Sequence, residues 1–311
     1  MHARDIALAP ARELIERAIA KADHIGARGG FAVVGASGVL VSASRMDRGG
    51  AGGMARARSK AWISATQQIP STVHHRRMAT LPPPIAAGFV ACSPEAAFPG
   101  AGGMPIADDD GVVIAGFSAS GASIGPFVDI GVDRRLLIAQ GKPANSEDLI
   151  VLWALGLDYE GQHGDDAARW VEAFGELPDE EGLGYDDPPP AQQPEHEWAV
   201  ALADRAMAEA ETRGLAVAVA VVDHRGDPIQ QDSMDGAATA GPFVAEAVAA
   251  GAATFQRPSG EVDERAADLL PYRVSSLPGG LPVAEDGRVV AGLGVAGPDP
   301  ELCHAMAAAV L

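Results

Sequence analysis

The chain has 311 residues, 47% of them hydrophobic and only 5% aromatic. That length suffices for two domains of roughly 120–150 residues, each with a core of small side chains. A formal net charge of -19 excludes general nucleic-acid binding, which needs a basic surface.

Cys92 and Cys303 stand alone, so neither a disulfide framework nor a structural zinc site is indicated. No apolar run approaches the roughly 20 residues of a membrane span, and the N-terminus has no apolar signal core. The expectation is a cytoplasmic protein with no membrane partner. Charge is unevenly spread: residues 1–90 carry 12 Lys+Arg against 5 Asp+Glu, a local +7 that leaves -26 for the remainder. This fits a basic pocket for an anionic ligand, or a solvated surface of drifting composition.

In chain order, Leu14, Ile15, Ala18, Ile19, Ala22 and Ile25 recur at helical steps and predict a first helix that ends before Gly29. Residues 31–34 and 39–41 read as strands joined by the turn 35–38, and 54–69 as a second helix stopped by Pro70. Residues 71–105, with Pro82-Pro83-Pro84, Pro94 and Pro99, read as irregular structure with one short strand over 89–91. A strand over 112–118 and a helix over 129–140 close the unit.

Residues 142–197 form an insert. Asn145-Ser146-Glu147-Asp148 caps one apolar helical segment, residues 165–174 form another, and 178–194 is an acidic, Pro-rich linker. The second unit then repeats the order: helix from Ala199 to Ala210, strand 215–222, turn 223–226, strand 228–232, helix 243–255, strand 288–295 and helix 300–310.

The two units match in sequence as well as in order. Ala32-Val33-Val34 lies on Ala220-Val221-Val222, Gly38 on Gly226, Met46-Asp47 on Met234-Asp235, and Gly102-Gly103-Met104-Pro105 on Gly279-Gly280-Leu281-Pro282. The predicted organisation is a first domain over 1–141, the insert over 142–197 and a second domain over 198–311. Each domain is expected to be α+β, with helices on an antiparallel sheet.

Gly292, Gly294 and Gly297 satisfy G-x-G-x-x-G, but the chain offers no acidic residue about 20 positions on, so a dinucleotide site is not expected. These glycines are read as letting the strand end turn into its helix. Polar groups gather in the first unit: Arg45, Asp47 and Lys60, then His74, His75 and Arg76, with backbone N–H groups at Gly102 and Gly103. Arginine suits carboxylates or phosphates and imidazole suits iron, so this set is read as lining a cleft between the repeats for a flat anionic ligand. Asp47, His74 and His75 are the candidate acid–base groups if the cleft is instead that of an enzyme acting on a small cyclic or aromatic metabolite. A purely structural assembly is the third reading. The second unit has Ser233 in place of Arg45 and an apolar stretch in place of Lys60, so its pocket is expected to be degenerate.

The blocks VVDHRG, SMDGA, GGLPV and GLGVAG in the second unit, with RMD at 45–47, Lys60-Ala61 and GGMPI at 102–106 in the first, resemble the GlcG/HbpS-like domain family. The same domain ends PduO-type corrinoid adenosyltransferases. The resemblance implies a five-stranded antiparallel sheet with helices, homo-oligomeric assembly and, in some members, binding of haem or corrinoid. Gly35 stands where the family has the VVD aspartate. Two fused copies imply an internal pseudo-dimer, and a small molecule as the ligand.

Overall fold

The computed structural model describes residues 5–24, 26–93, 97–98, 100–122, 146–157, 193–263, 265 and 273–311; the helices expected over 129–140 and 165–174, and nearly all of the linker, lie outside them. The chain divides into two compact units, Met1–Gly38 with Arg48–Gln192, and Val39–Asp47 with Gln193–Leu311. A nine-residue piece of the first repeat thus belongs to the second unit.

In the first unit, strands β1 (Gly30–Gly35), β3 (Gly103–Ala107) and β4 (Val113–Ser120) form an antiparallel sheet in the order β3-β4-β1. Helix α2 (Gly53–Gln67) packs on all three strands. It approaches closely because Gly116 has no side chain: a Cβ there would lie 2.1 Å from the Ala61 carbonyl oxygen. Helix α1 (Leu8–His24) presents Ala11, Ile15, Ala18, Ile19 and Ala22 as its buried stripe, as its spacing predicts.

Helices α3 (Ser71–Ala79) and α4 (Pro83–Cys92) occupy the stretch expected to be irregular, and the short strand expected at 89–91 is part of α4. The prolines that read as breakers open these helices: Pro70 and Pro82 precede them and Pro83 starts α4, where a missing N–H costs no hydrogen bond. From the insert comes α5 (Ser146–Leu155), whose residues 146–152 are all buried. It packs on α1, β3 and β4, with Trp153 lying 5.4 Å from the Arg17 guanidinium and 5.5 Å from the Lys21 ammonium.

The second unit has a five-stranded antiparallel sheet ordered β2-β6-β5-β8-β7, from β2 (Leu40–Arg45), β5 (Ala218–Asp223), β6 (Pro228–Ser233), β7 (Gly280–Glu285) and β8 (Arg288–Ala296). Helix α7 (Gly241–Phe255) packs on β5 to β8, α6 (Pro194–Thr212) on β5 and β6, and α8 (Pro300–Val310) on α6, β7 and β8. Gly292 and Gly294 lie inside β8, paired antiparallel with β5 on one side and β7 on the other. They do not turn a strand end into a helix. A Cβ at Gly294 would lie 2.1 Å from the Ala245 carbonyl oxygen, so these glycines let α7 sit close to the sheet.

β2 joins β6 through a buried polar ladder. Ser42 Oγ donates to Asp232 Oδ1 at 2.8 Å, Ser44 Oγ to Gln230 Oε1 at 2.5 Å, and Gln230 Nε2 to Asp232 Oδ2 at 2.7 Å. The fold is α+β with antiparallel sheets, as expected. No described helix is long and apolar enough to cross a membrane.

Candidate functional site

At the end of β2, Arg45 is almost fully buried and turned into the second unit. Its Nε donates to the Pro228 carbonyl oxygen at 2.9 Å and lies 3.2 Å from Asp227 Oδ2; its other guanidinium edge meets Asp223 Oδ2 at 3.0 Å. Asp223 ends β5 and also accepts from Arg225: the guanidinium at 2.8 Å on Oδ2, and the backbone N–H at 2.8 Å on Oδ1. Burial pushes the Asp223 carboxyl up, but the Arg225 hydrogen bonds, the Asp227 N–H and the Arg45 charge outweigh it and hold the group below its ordinary value. Asp223 is therefore ionised at neutral pH and fixes both arginines.

Above this Arg–Asp–Arg floor opens a cavity of about 500 Å³. Pro194, Trp198, Ile229, Val290 and Ala291 supply apolar wall, while His224, Arg225, Glu195 and Glu285 supply exposed polar groups. The volume lies within the range of small-molecule sites. The second unit, expected to carry the degenerate pocket, thus has a described one, and its buried arginine comes from the first repeat.

A signal for this pairing exists in the sequence. The first repeat keeps the arginine of RMD but has Gly35 at the aspartate position, whereas the second keeps Asp223 but has Ser233 at the arginine position. The losses are complementary, and the two retained partners are the ones the structure joins. Neither loss taken alone marks the pairing, and His224 is not among the expected site residues.

The other expected site residues lie elsewhere. Both oxygens of Asp47 are engaged by the start of α6, Oδ2 accepting the Glu195 N–H at 3.1 Å and Oδ1 the His196 N–H at 2.9 Å, while Gln193 Oε1 accepts the Asp47 N–H at 2.8 Å. Asp47 is a helix cap delivered from a distant strand end, since Gln193 at the cap position makes no side-chain cap. Such a carboxylate is poorly placed to serve as a general base.

Lys60, His74, His75, Gly102 and Gly103 belong to the first unit. Lys60 is 1% exposed, and its Nζ donates to Glu147 Oε2 and to the Ala101 carbonyl oxygen, both at 2.7 Å. The Gly102 N–H donates to Asp148 Oδ1 at 2.7 Å and the Gly103 N–H to Ser71 Oγ at 2.9 Å. None of the three is open to an external anion in this arrangement. His74 and His75 lie on helix α3, in the stretch expected to be irregular; His74 is buried, 5.1 Å from the Phe89 ring, and His75 is exposed. The Arg76 side chain lies outside the described residues.

A family described as "Haem degrading protein HbpS-like" matches the chain in two segments, residues 6–125 and 195–311. Among solved structures, a double mutant of HbpS from Streptomyces reticuli is 32% identical, covering 40% of this chain and 94% of its own, at a TM-score of 0.34. Klebsiella pneumoniae protein ORFY is 24% identical, covering 36% of this chain and 86% of its own, at 0.33. A PduOC:heme complex is 21% identical, covering 39% and 92%, at 0.35. No curated protein matches.

Proposed function

The chain belongs to the HbpS-like family, matched over residues 6–125 and 195–311, and from that membership we propose that it binds haem, or another flat anionic small molecule, in the cavity of its second unit. The observation that carries this reading is the cavity itself: an apolar wall of Trp198, Ile229 and Val290 rises beside an exposed imidazole, His224, and the half-open guanidinium of Arg225. A tetrapyrrole needs those three features, a flat apolar face, an iron ligand and a partner for carboxylates. His224 would hold the iron and Arg225 a propionate, while Arg45 and Asp223 fix the floor. With Asp223, Glu195 and Glu285 set against two arginines, the apolar wall rather than net charge supplies most of the attraction.

Hemin titration of the full-length protein tests this. We expect a new Soret band, lost or shifted in His224→Ala and weakened by about tenfold in Arg225→Ala, the worth of one charge-assisted contact. A band that survives both changes but disappears in His74→Ala with His75→Ala would move the ligand to the first unit; no band would end the haem reading. Self-association is expected alongside ligand binding, and sedimentation of the apo- and hemin-loaded protein measures it.

A further inference from the structure

The first unit holds a second set of ligand-type groups, and a piece of the chain itself fills it. Lys60 Nζ and the Ala122 N–H converge on the Glu147 carboxylate at 2.7 and 3.3 Å, while the Gly102 N–H and Thr72 Oγ1 converge on the Asp148 carboxylate at 2.7 and 3.4 Å. Four donors thus surround two adjacent carboxylates. Beside them Ser64 Oγ, wholly buried, has no hydrogen-bond partner and lies where a side chain at Gly103 would point. Gly102 is held at φ +101°, and a Cβ there would meet the Glu147 side chain at 2.7 Å. Only glycine allows this approach.

Both carboxylates come from α5, which belongs to the insert and has no counterpart in the second repeat. In the second unit α7 carries no lysine at the matching position, and among the described residues neither plug nor cation is present. What the units share is purely structural: the Gly280 N–H donates to Ser259 Oγ at 2.9 Å as the Gly103 N–H does to Ser71 Oγ. Among the described residues, the lysine and its covering carboxylates thus occur together in the first unit alone.

We propose that Lys60, Thr72 and the N–H groups of Gly102 and Ala122 form a binding site for a small dicarboxylate, occupied in this state by Glu147 and Asp148 as a tethered stand-in. The attraction is charge-assisted hydrogen bonding in a buried setting, where an ammonium left alone is costly. A free dicarboxylate competes poorly with carboxylates fixed to the same chain, because the tethered pair has a high effective concentration.

The test is chemical rescue. In full-length Glu147→Ala/Asp148→Ala protein we expect a lowered Tm that glutarate restores by several degrees, while the neutral diamide glutaramide does not. Lys60→Met in that background should abolish the rescue, and wild type should respond far less. If the double variant does not fold, Glu147→Gln carries the same comparison. A folded variant indifferent to glutarate, a rescue that survives Lys60→Met, or a wild-type response as large as the variant's would each overturn the proposal. Hemin binding is measured in the other unit, so failure here leaves that reading standing.

Discussion

His74 and His196 each bury an Nε2 that has no hydrogen-bond partner. Burial lowers the pKa of both imidazoles below the ordinary 6.5; Arg77 and His75 add to this at His74, while Asp47, Asp232, Glu197 and Gln230 pull His196 back only in part. A group with a lowered folded pKa takes up its proton more readily in the unfolded chain. Its stabilising contribution is therefore present above about pH 6.5 and declines as pH falls below it. Urea midpoints should drop between about pH 7.5 and about pH 5.5, and His74→Leu, which keeps the contact with Phe89 apolar, should make the drop shallower. An unchanged slope in that variant would remove His74 from the account. At this scale the sequence pointed to Arg45 as a site residue and missed its partner, because the aspartate lies 178 positions away. It also read Lys60 as free to bind a ligand, since nothing in one helix shows that a later insert supplies a carboxylate.

Elements were legible where hydrophobic spacing sets them. α6 buries every apolar position that its periodicity marks, and α1 and α2 bury most of theirs. β3 and β7 are not legible because Gly-Gly-x-Pro carries strand breakers, and the edge position that tolerates each proline is visible only in three dimensions. β2 and β6 were recognised as strands, yet their mutual pairing was not, since Ser42, Ser44, Gln230 and Asp232 present buried polar groups where a core strand is expected to be apolar. The helix-on-sheet contact depends on bare backbone in β8. Gly294→Ala should therefore cost about 1–3 kcal/mol, the range for overpacking a filled core. Chemical unfolding measures it, and Val290→Ala on the same strand, at a half-buried position, should cost less.

For the whole molecule, duplication was readable but the division of the chain was not, because the second unit recruits Val39–Asp47 from the first repeat. Residues 193–311 alone would leave the β6 edge and the Asp232 carboxylate without the serines of β2. We expect that fragment to aggregate, and the same fragment with residues 39–47 joined by a flexible linker to be recovered soluble; size-exclusion chromatography distinguishes them. Equal behaviour would mean that β2 is dispensable. The loan of this strand also bears on heredity. The polypeptide passes from one unit to the other at positions 38–39, 47–48 and 192–193, so no single breakpoint in the gene yields an intact half. Recombination that shuffles ordinary modules would scramble this pair, which ties the fate of the two copies together.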